Sequence, residues 1–451
     1  MQIQPTKLLG GNEVCVTFTD KPVTPWGGLV LLSAYWRETG VVEVLERLLP
    51  FTVVSPNALK PVDIAIAFMG GVITGMRRLT HFERLRHDYA LAYILGINRF
   101  PSEDTFSRFL KRFNQKAVNE FFCPLFVWQL DKIAKACPAL AFGCTLDLDS
   151  SVVERYGHQE GAVIGYNPRK HRRPSHHPIF ATLGELPVVV HAWLRPGNTS
   201  SARGAVEFIK EAAALLPKWT PLNGIRADSG FASEEVFGFL ESQKIRYAIA
   251  ARFTRGMQNA VSAIKDWQLV DEGIFIAETV FEAQGWSRAR RVIVVKERTP
   301  KKDFVRGREL FNDPAYAYQA VITDMQGTPT EIWRYQRGRA DIENRLRELK
   351  WDYGMDGFCL SKFYATEAAL RLVCFAHNSM AMFERRLGYK THRTLGTLRS
   401  LIFACGAILG AQGRKTTLRL SLGEALREQF ARWLESFSYC GKGNCAAVES
   451  G

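Results

Sequence analysis

The sequence lacks apolar runs long enough to cross a membrane. Its two longest apolar stretches, residues 64–76 and 401–411, are shorter than the ~20 residues that a transmembrane helix requires. The opening residues also lack the basic and apolar segments that together form a secretory signal. We therefore expect a cytoplasmic protein that has no membrane contact.

Paired cysteines are also missing. The nine cysteines are odd in number, scattered and mostly placed in apolar runs, which is typical of a reducing compartment. Cys440 and Cys445 have no second Cys or His pair near them, so we expect no zinc site there. A disulfide scaffold is excluded, and the 47% hydrophobic content indicates stabilisation by a large core.

Negative charge is scarce relative to positive charge. The chain has 45 acidic and 59 basic residues, a net charge of +14 and an isoelectric point near 9.4. A positive surface gains affinity for polyanions through counterion release, so nucleic acid is the first candidate partner. Basic residues cluster in 169–173 and again in 334–350, which argues against a carbohydrate-binding groove.

Hydrophobic periodicity divides the chain into five segments. Residues 29–49 show a helical pattern, and Ser102 is a good N-cap for a later helix whose face carries Arg108, Lys111 and Arg112. That helix is either a DNA-recognition helix or the solvated face of a structural bundle. The predicted domains are a helical DNA-binding domain (1–140), a first core part (141–253), a β-rich insertion (254–328), a second core part (329–390) and a C-terminal helical region with a tail (391–451).

The first core part predicts an α/β fold. Its order is three strands, a helix, a strand, a helix and a strand, which is the order of an RNase H-like core with an initial antiparallel meander. Residues 254–328 follow with strand-like runs at 274–281, 290–297 and 317–323. We therefore expect an RNase H-like mixed sheet flanked by helices, interrupted by a β-rich insertion and preceded by an all-helical domain.

Carboxylates stand on two of the predicted core strands. Apolar and polar residues alternate in 145–149, so Asp147 and Asp149 share one face of the first strand. Asp228 ends the fourth strand, immediately before a Ser-Gly turn. Carboxylates on the first and fourth strands are the arrangement of an RNase H-like core.

A third carboxylate, Glu343, lies in a predicted helix over residues 335–350. At about 100° per residue, Tyr335, Arg339, Glu343 and Lys350 fall within an arc of roughly 80°. Apolar residues lie beside that arc, so Glu343 occupies the edge of the face that docks on the fold. The same spacing also fits simple surface ion pairs on a helix.

Three such carboxylates match the needs of metal-dependent phosphodiester cleavage. This reaction requires an activated oxygen nucleophile, a leaving oxygen in line and neutralised phosphoryl charge, and two Mg²⁺ ions ~3.5–4 Å apart supply all three. Mg²⁺ keeps waters and substrate phosphate as ligands, so Asp149, Asp228 and Glu343 suffice, with Mn²⁺ as a substitute metal. The expected DNA phosphate ligands are Arg339, Lys350 and Tyr335 on the helix and Arg169, Lys170, Arg172 and Arg173 in the basic run.

Five short blocks occur in order between Leu146 and Lys350. They read LDLDSSVVERYG, GYNP, RPGNT, RADSGF and IENRLRELK. Together they resemble the DDE transposases of bacterial insertion sequences, most closely the branch numbered 1380. The resemblance implies an RNase H-like core, two Mg²⁺ ions and cut-and-paste movement of a DNA element with terminal inverted repeats into target DNA. It also implies a dimer in a DNA synaptic complex and a location at the bacterial nucleoid.

The family pattern also assigns individual residues. Its Asp-x-Ser/Thr pattern matches Asp149, and Asp147 stays the alternative first carboxylate. On the glutamate helix, relatives follow the spacing Y-(2)-R-(3)-E-(6)-K; this chain fits the last three positions, whereas Tyr335 stands one residue too far from Arg339. Relatives often stack an insertion-domain Trp on an extruded base, and Trp286 is the candidate for that role here. The alternative is that Trp286 is an ordinary packed or surface aromatic residue.

Two other functions stay open at this point. An RNase H-fold nuclease without strand transfer uses the same ions and carboxylates. A non-catalytic DNA-binding regulator would keep the acids only as salt-bridge partners. Joined DNA products distinguish the transposase from the nuclease, and metal-dependent cleavage distinguishes both enzymes from the regulator.

Overall fold

The computed structural model describes residues 6–53, 55–165, 167, 170–298 and 316–439, so the predictions for Arg169, Cys440 and Cys445 fall outside the described residues. The helices are α1 Leu29–Thr39, α2 Val41–Leu48, α3 Pro61–Ile73, α4 Tyr89–Ile94, α5 Glu103–Lys111, α6 Gln115–Ala136, α7 Ala205–Leu215, α8 Glu234–Ser242, α9 Arg255–Ser262, α10 Pro329–Arg337, α11 Ala340–Trp351, α12 Phe363–Arg386, α13 Leu395–Leu398 and α14 Glu424–Tyr439. The strands are β1 Thr6–Lys7, β2 Glu13–Val14, β3 Val23–Thr24, β4 Cys144–Ser150, β5 Val153–Glu154, β6 Val163–Ile164, β7 Pro174–His176, β8 Ile179–Leu183, β9 Val189–Trp193, β10 Leu222–Ala227, β11 Arg246–Ala250, β12 Gln268–Asp271, β13 Ile274–Phe281, β14 Arg290–Arg298, β15 Tyr316–Thr323, β16 Ala407–Gln412 and β17 Lys415–Leu420.

A sheet of nine strands runs through the molecule in the order β12-β13-β14-β15-β11-β10-β4-β8-β9. Strands β4, β8 and β9 form an antiparallel meander, and β10 and β11 continue from β4 in parallel. Helices α7 and α8 make the connections that parallel neighbours require. The order and directions of these five strands confirm the predicted RNase H-like core.

The β-rich insertion extends this sheet. Its strands β13, β14 and β15 lie where the sequence predicts them, and they form a continuous antiparallel ladder. Strand β15 then pairs antiparallel with β11, with Ala250 opposite Val321. The insertion therefore covers the edge that the five core strands would otherwise leave unpaired.

The helical region before the sheet shares its hydrophobic core. Helices α1 to α6 lie in the segment predicted to be helical, although the helix expected over 29–49 is divided at Gly40, whose φ of +80° is left-handed. Helix α12 is buried along nearly its whole length and contacts β9 on one side and α3, α5 and α6 on the other. One continuous apolar cluster consequently joins the helices to the sheet.

The prediction of a helical C-terminal region is wrong for residues 407–420. This segment forms the hairpin β16–β17, and β16 also pairs with β3 near the start of the chain. Gly413 adopts a φ of +62° in the two-residue turn, which is a glycine-containing hairpin signal just after an apolar run. Helix α14 then packs on α1, so the end of the chain returns to the first helices.

The described helices include none that is both long enough and apolar enough to pass through a bilayer. Their buried faces are used for packing on the sheet and on one another.

The close approach of Gly28 to the segment before β16 generates a stability prediction. A Cβ at Gly28 would clash with the backbone of Ile402 and Phe403, whereas a Cβ at Gly238 on α8 meets nothing within 4 Å. We expect Gly28→Ala to lower the free energy of unfolding by about 1–3 kcal/mol through overpacking. Gly238→Ala is the matched control and should be neutral or raise it by up to about 1 kcal/mol. Thermal and urea unfolding measure both, and equal effects would contradict the packing argument.

Candidate active site

The structure brings the three predicted carboxylates to one edge of the sheet. Strands β4 and β10 are parallel neighbours with Leu148 opposite Ala227, so Asp149 and Asp228, the next residues, stand side by side. Helix α11 packs on β4 and carries Glu343 in its first turn. The charges of Asp228 and Glu343 both act on Asp149.

Asp228 is fixed by the turn that the sequence predicts. The backbone N–H of Gly230 donates to Asp228 Oδ1 at 2.9 Å, so the carboxylate caps the short turn Ser229–Phe231. Helix α8 then begins after Ser233, whose hydroxyl accepts from the N–H of Val236. This chain of caps holds the Asp228 carboxylate at the strand end.

The two strand carboxylates repel each other in a partly buried setting. Burial raises the pKa of Asp149, and the charge of Asp228 raises it further, to about 7. Burial also raises the pKa of Asp228, although the charge of Arg339 offsets part of that effect. A cation bound between these oxygens would relieve both the desolvation and the repulsion.

Arg339 bridges two of the three acids. Its Nη1 lies 3.7 Å from Asp149 Oδ2 and its Nη2 lies 3.0 Å from Glu343 Oε1. The Arg339 side chain is 16% exposed and that of Glu343 is 63% exposed, so the arginine occupies the inner position. Arg339 was predicted to bind DNA phosphate, and here its partners are the acids themselves.

Asp147 has a different environment from Asp149. It is completely buried, and its two oxygens accept hydrogen bonds from Arg226 Nε at 2.6 Å and Nη2 at 2.8 Å. Burial alone would lower the pKa of Arg226, but the hydrogen bonds that it donates to Asp147, together with the negative charge of Asp147, outweigh burial and raise this pKa. With both oxygens bound to a guanidinium, Asp147 is poorly placed as the alternative first carboxylate, and the geometry favours Asp149.

Tyr335 is not placed to bind a phosphate beside the acids. Its ring lies under the Arg226 guanidinium at 5.1 Å, and its carbonyl accepts from Arg226 Nη1 at 2.8 Å. Its hydroxyl lies 3.2 Å from Thr145 Oγ1, and Thr145 is four residues before Asp149, or about 13 Å along the strand. The predicted phosphate contact of Tyr335 is therefore corrected to a docking role.

The glycine in the predicted helix marks this docking point. The helix expected over 335–350 is divided into α10 and α11 at Gly338 and Arg339. A Cβ at Gly338 would clash with the Arg226 guanidinium, and one at Gly224 would clash with the Tyr335 hydroxyl. The two glycines thus make room for Arg226 and Tyr335. In the sequence, Gly338 is the signal for the break between α10 and α11.

Lys350 lies at the same edge as the acids. Its Nζ donates to the carbonyl of Val152 at 3.1 Å, just beyond the end of β4. The charges of Lys350 and Asp228 both act on buried His177, whose Nδ1 lies 2.6 Å from the Thr199 carbonyl. The structure therefore places Lys350 near the acids, and its contact with DNA phosphate stays a prediction.

The described residues of the basic run, 170–173, lie in the turn before β7 of a small separate sheet, β5-β7-β6. Lys170 Nζ pairs with Glu154 at 2.9 Å, and Arg172 adopts a left-handed φ of +62° in the turn before β7. The guanidinium of Arg173 lies 4.7 Å from the centre of the Tyr156 ring. These cations are therefore arranged around Glu154 and Tyr156, beyond the end of β4.

Trp286 packs against the protein. Its ring makes edge contacts with Phe237 at 5.3 Å and with Phe281 at 5.6 Å, and the Arg290 guanidinium lies 5.1 Å from its centre. Arg290 is in turn held by Glu234 and buried. The base-stacking prediction for Trp286 is not supported by this placement, which matches the packed alternative.

Sequence reasoning missed a cluster behind α11 in which Glu348, Glu384 and His377 are buried and His392 is partly exposed. His392 Nε2 lies 2.8 Å from Glu348 Oε2 and its Nδ1 lies 2.6 Å from Glu384 Oε1. His377 stands 3.7 Å from the same Glu348 oxygen. Burial alone would lower the pKa of His392, but the two carboxylates outweigh burial and raise it to about 9. The cluster ties α11 to α12; its members are far apart in sequence, so no local pattern indicates it.

The carboxylate oxygens of the three acids are chemically suited to divalent cations, but one of the three side chains must first change its position. Asp149 and Asp228 are adjacent, partly buried carboxylates whose charges repel, as expected of ligands for a hard cation. Within the described parts of the chain, no three His, Cys, Asp or Glu side chains lie close enough to hold one ion. Because Arg339 holds the Glu343 side chain, that acid must change its position to join a cation with Asp149 and Asp228.

The Arg226–Asp147 pair generates a stability prediction. Asp147→Asn keeps the shape but leaves a buried guanidinium without an anion, and we expect it to destabilise the protein by about 3–5 kcal/mol. The double change Asp147→Leu with Arg226→Met should cost less, because no charge is then buried alone. Glu343→Gln, at an exposed side chain, is the control and should stay within about 0.5 kcal/mol. Equal unfolding curves for Asp147→Asn and Glu343→Gln would contradict this account.

The His392 cluster generates a pH prediction. The pKa of His392 is about 9 in the fold and near 6.5 in the unfolded chain, so its stabilisation is complete below about pH 6.5 and is lost as the pH rises through 9. The difference in thermal midpoint between wild type and His392→Gln should therefore shrink from pH 6.5 to 10. His158→Gln, at an exposed histidine, is the control. A difference that is constant over this range would exclude His392 as the titrating group.

Comparison with known proteins places the chain in a family. No curated protein sequence gives a significant match. A cryo-EM structure of the piggyBac transposase synaptic complex with hairpin DNA is similar at 11% identity and a TM-score of 0.43, with 85% of this chain and 82% of that chain covered. A family model described as transposase DDE domain group 1 matches residues 6–440. The chain belongs to this family of DDE transposases.

Proposed function

We propose that the chain is the transposase of a bacterial insertion sequence. In this proposal it binds the terminal inverted repeats of its element, hydrolyses DNA phosphodiester bonds and transfers the freed 3′-OH ends to target DNA. The observation that carries the proposal is the convergence of Asp149, Asp228 and Glu343 at one edge of an RNase H-like sheet. Family membership supports DNA as substrate and divalent metal as cofactor.

Asp149, Asp228 and Glu343 would hold two Mg²⁺ ions, or Mn²⁺ in their place. Asp149 would be the ligand shared by the two ions, because the charges of both other acids act on it. Bound metal would supply an activated water and neutralise phosphoryl charge. Asp147 has no part in this role, since Arg226 binds both of its oxygens.

Arg339 is proposed to change partners during the reaction. Its guanidinium is shared by Asp149 and Glu343 in the structure. If those acids held cations, Arg339 would lose its partners and become available to the phosphates beside the scissile bond. Lys350, fixed beside the end of β4, would contact a neighbouring phosphate.

The remaining DNA contacts and the assembly are proposals of the same kind. Lys170, Arg172 and Arg173, together with Arg169, would bind backbone phosphates as the strand leaves the site. A dimer is proposed because the two ends of the element must be held together. The proposed location is the nucleoid, where the DNA lies. The helical segment 1–140 is proposed as the DNA-binding region, and the matched blocks support assignment to the branch numbered 1380.

Removing the three carboxylate charges tests the proposed chemistry. Asp149→Asn, Asp228→Asn and Glu343→Gln should each reduce metal-dependent cleavage of element-end DNA by more than the about 10–100-fold that an outer-shell change costs. DNA binding should persist, because the basic residues are untouched. Glu278→Gln, an exposed change on β13, is the control with wild-type cleavage.

The products decide between the candidate functions. Gel analysis of cleaved and joined DNA in Mg²⁺ or Mn²⁺ should show strand transfer by the wild type. Cleavage without joined products would instead indicate a nuclease. Binding without cleavage in either metal would indicate a regulator, and full cleavage by the Asp228 and Glu343 variants would refute the site.

A further inference from the structure

A groove of about 1220 Å³ is lined from Ser150, the residue after Asp149, onward. Its lining continues through Val152 and includes Lys350 on α11. Ser107 and Lys111 of α5 also line it. The groove therefore leads from the end of β4, next to Asp149, to the first helical region.

Two aromatic side chains are exposed in this groove. Trp351, the last residue of α11, is 66% exposed and Tyr156 is 69% exposed. The backbone of Trp351 is fixed, because the Arg77 guanidinium donates to its carbonyl. Phe237 and Phe281 pack against the ring of Trp286, whereas within the described parts of the chain the Trp351 indole is largely exposed. Such a side chain is available to a ligand.

The charge around these rings favours a polyanion. Arg77, Arg78, Lys111 and Lys350 line the groove near Trp351. The ammonium of Lys170 and the guanidinium of Arg173 lie over the Tyr156 ring at 5.8 and 4.7 Å. The groove also contains Glu103, Glu154 and Asp356, and Glu154 is paired with Lys170. Aromatic faces among cations are the features that bind single-stranded nucleic acid.

We propose that this groove binds unpaired nucleotides next to the scissile phosphate, with one base stacked on Trp351 and another on Tyr156. The proposal rests on the proposed function for DNA as the substrate, and it adds that the strand end is unpaired where it leaves the acids. A duplex held only by phosphate contacts would make no use of the two exposed rings. Stacking is tolerant of sequence, because every base has a π-face.

Binding to a defined probe tests the proposal without cleavage. The probe is a 20-base-pair DNA duplex with a three-nucleotide unpaired 3′ end that carries 2-aminopurine, and the reference is the same duplex with a blunt end. Wild-type full-length protein should bind the unpaired end more tightly and quench the 2-aminopurine. Trp351→Ala should weaken binding of that probe by about 5- to 150-fold and abolish the quenching. Trp351→Phe should retain most of both.

The control is a second exposed tryptophan. Trp219 is 41% exposed and lies before β10, at the opposite end of that strand from Asp228, so Trp219→Ala should behave as wild type. Three results would each overturn the proposal. The Trp351→Ala variant could quench the probe as strongly as wild type, the Trp219→Ala variant could lose as much binding and quenching as Trp351→Ala, or the wild type could show no preference for the unpaired end. Failure of the proposed function would appear separately, as wild-type protein that quenches the probe but never cuts DNA with metal.

Discussion

The buried guanidinium of Arg226 is the contact on which the geometry of the acidic site depends. Arg226 lies on β10 two residues before Asp228, and it binds Asp147, two residues before Asp149 on β4. Its third bond goes to the Tyr335 carbonyl, at the helix end that leads into α11. One side chain thus ties together the three segments that carry the acids. A buried ion pair is a weak source of net stability, so its value here is in fixing relative position.

Helix α11 is held at further points while Glu343 itself remains exposed. Arg345 donates to Thr182 Oγ1 at 3.0 Å and to the Leu183 carbonyl, which fastens the helix to β8. One turn later, Glu348 accepts from His392 and from the N–H of Leu395. The backbone under Glu343 is therefore fixed, whereas among the described residues its side chain pairs only with Arg339. An acid on a fixed backbone with a replaceable partner suits a ligand that completes its site when substrate arrives.

The sequence predicted the parts of the site that follow from local patterns. Alternation placed Asp149 on a strand, and the Ser-Gly turn placed Asp228 at a strand end, because both signals lie within a few residues. Alternation alone does not choose between Asp147 and Asp149, which share a face; the family pattern favours Asp149, and the register opposite Arg226 gives the structural distinction. Tyr335 was assigned to DNA by its place on the helix face and Trp286 by resemblance, yet tertiary packing decides whether an aromatic ring is free. Trp351 follows directly after a predicted phosphate ligand, but its exposure depends on α5 and Arg77, far away in sequence.

The core that the helices share with the sheet bears on whether the basic helix α5 acts as a DNA-recognition helix. A recognition helix on a separate domain would present Arg108, Lys111 and Arg112 together to a DNA groove. Arg112 instead stacks on Phe51 at 4.3 Å and donates to the Thr52 carbonyl, so it is used within the fold. Lys111 lines the groove that starts at Ser150, next to Asp149, and that Lys350 also lines. Because α5 also packs on the buried helix α12, which contacts the sheet, this wall is fixed relative to the acids. In the proposed function, the helical region would therefore shape the path of the DNA strand at the reacting phosphate, which a domain on a flexible linker could not do.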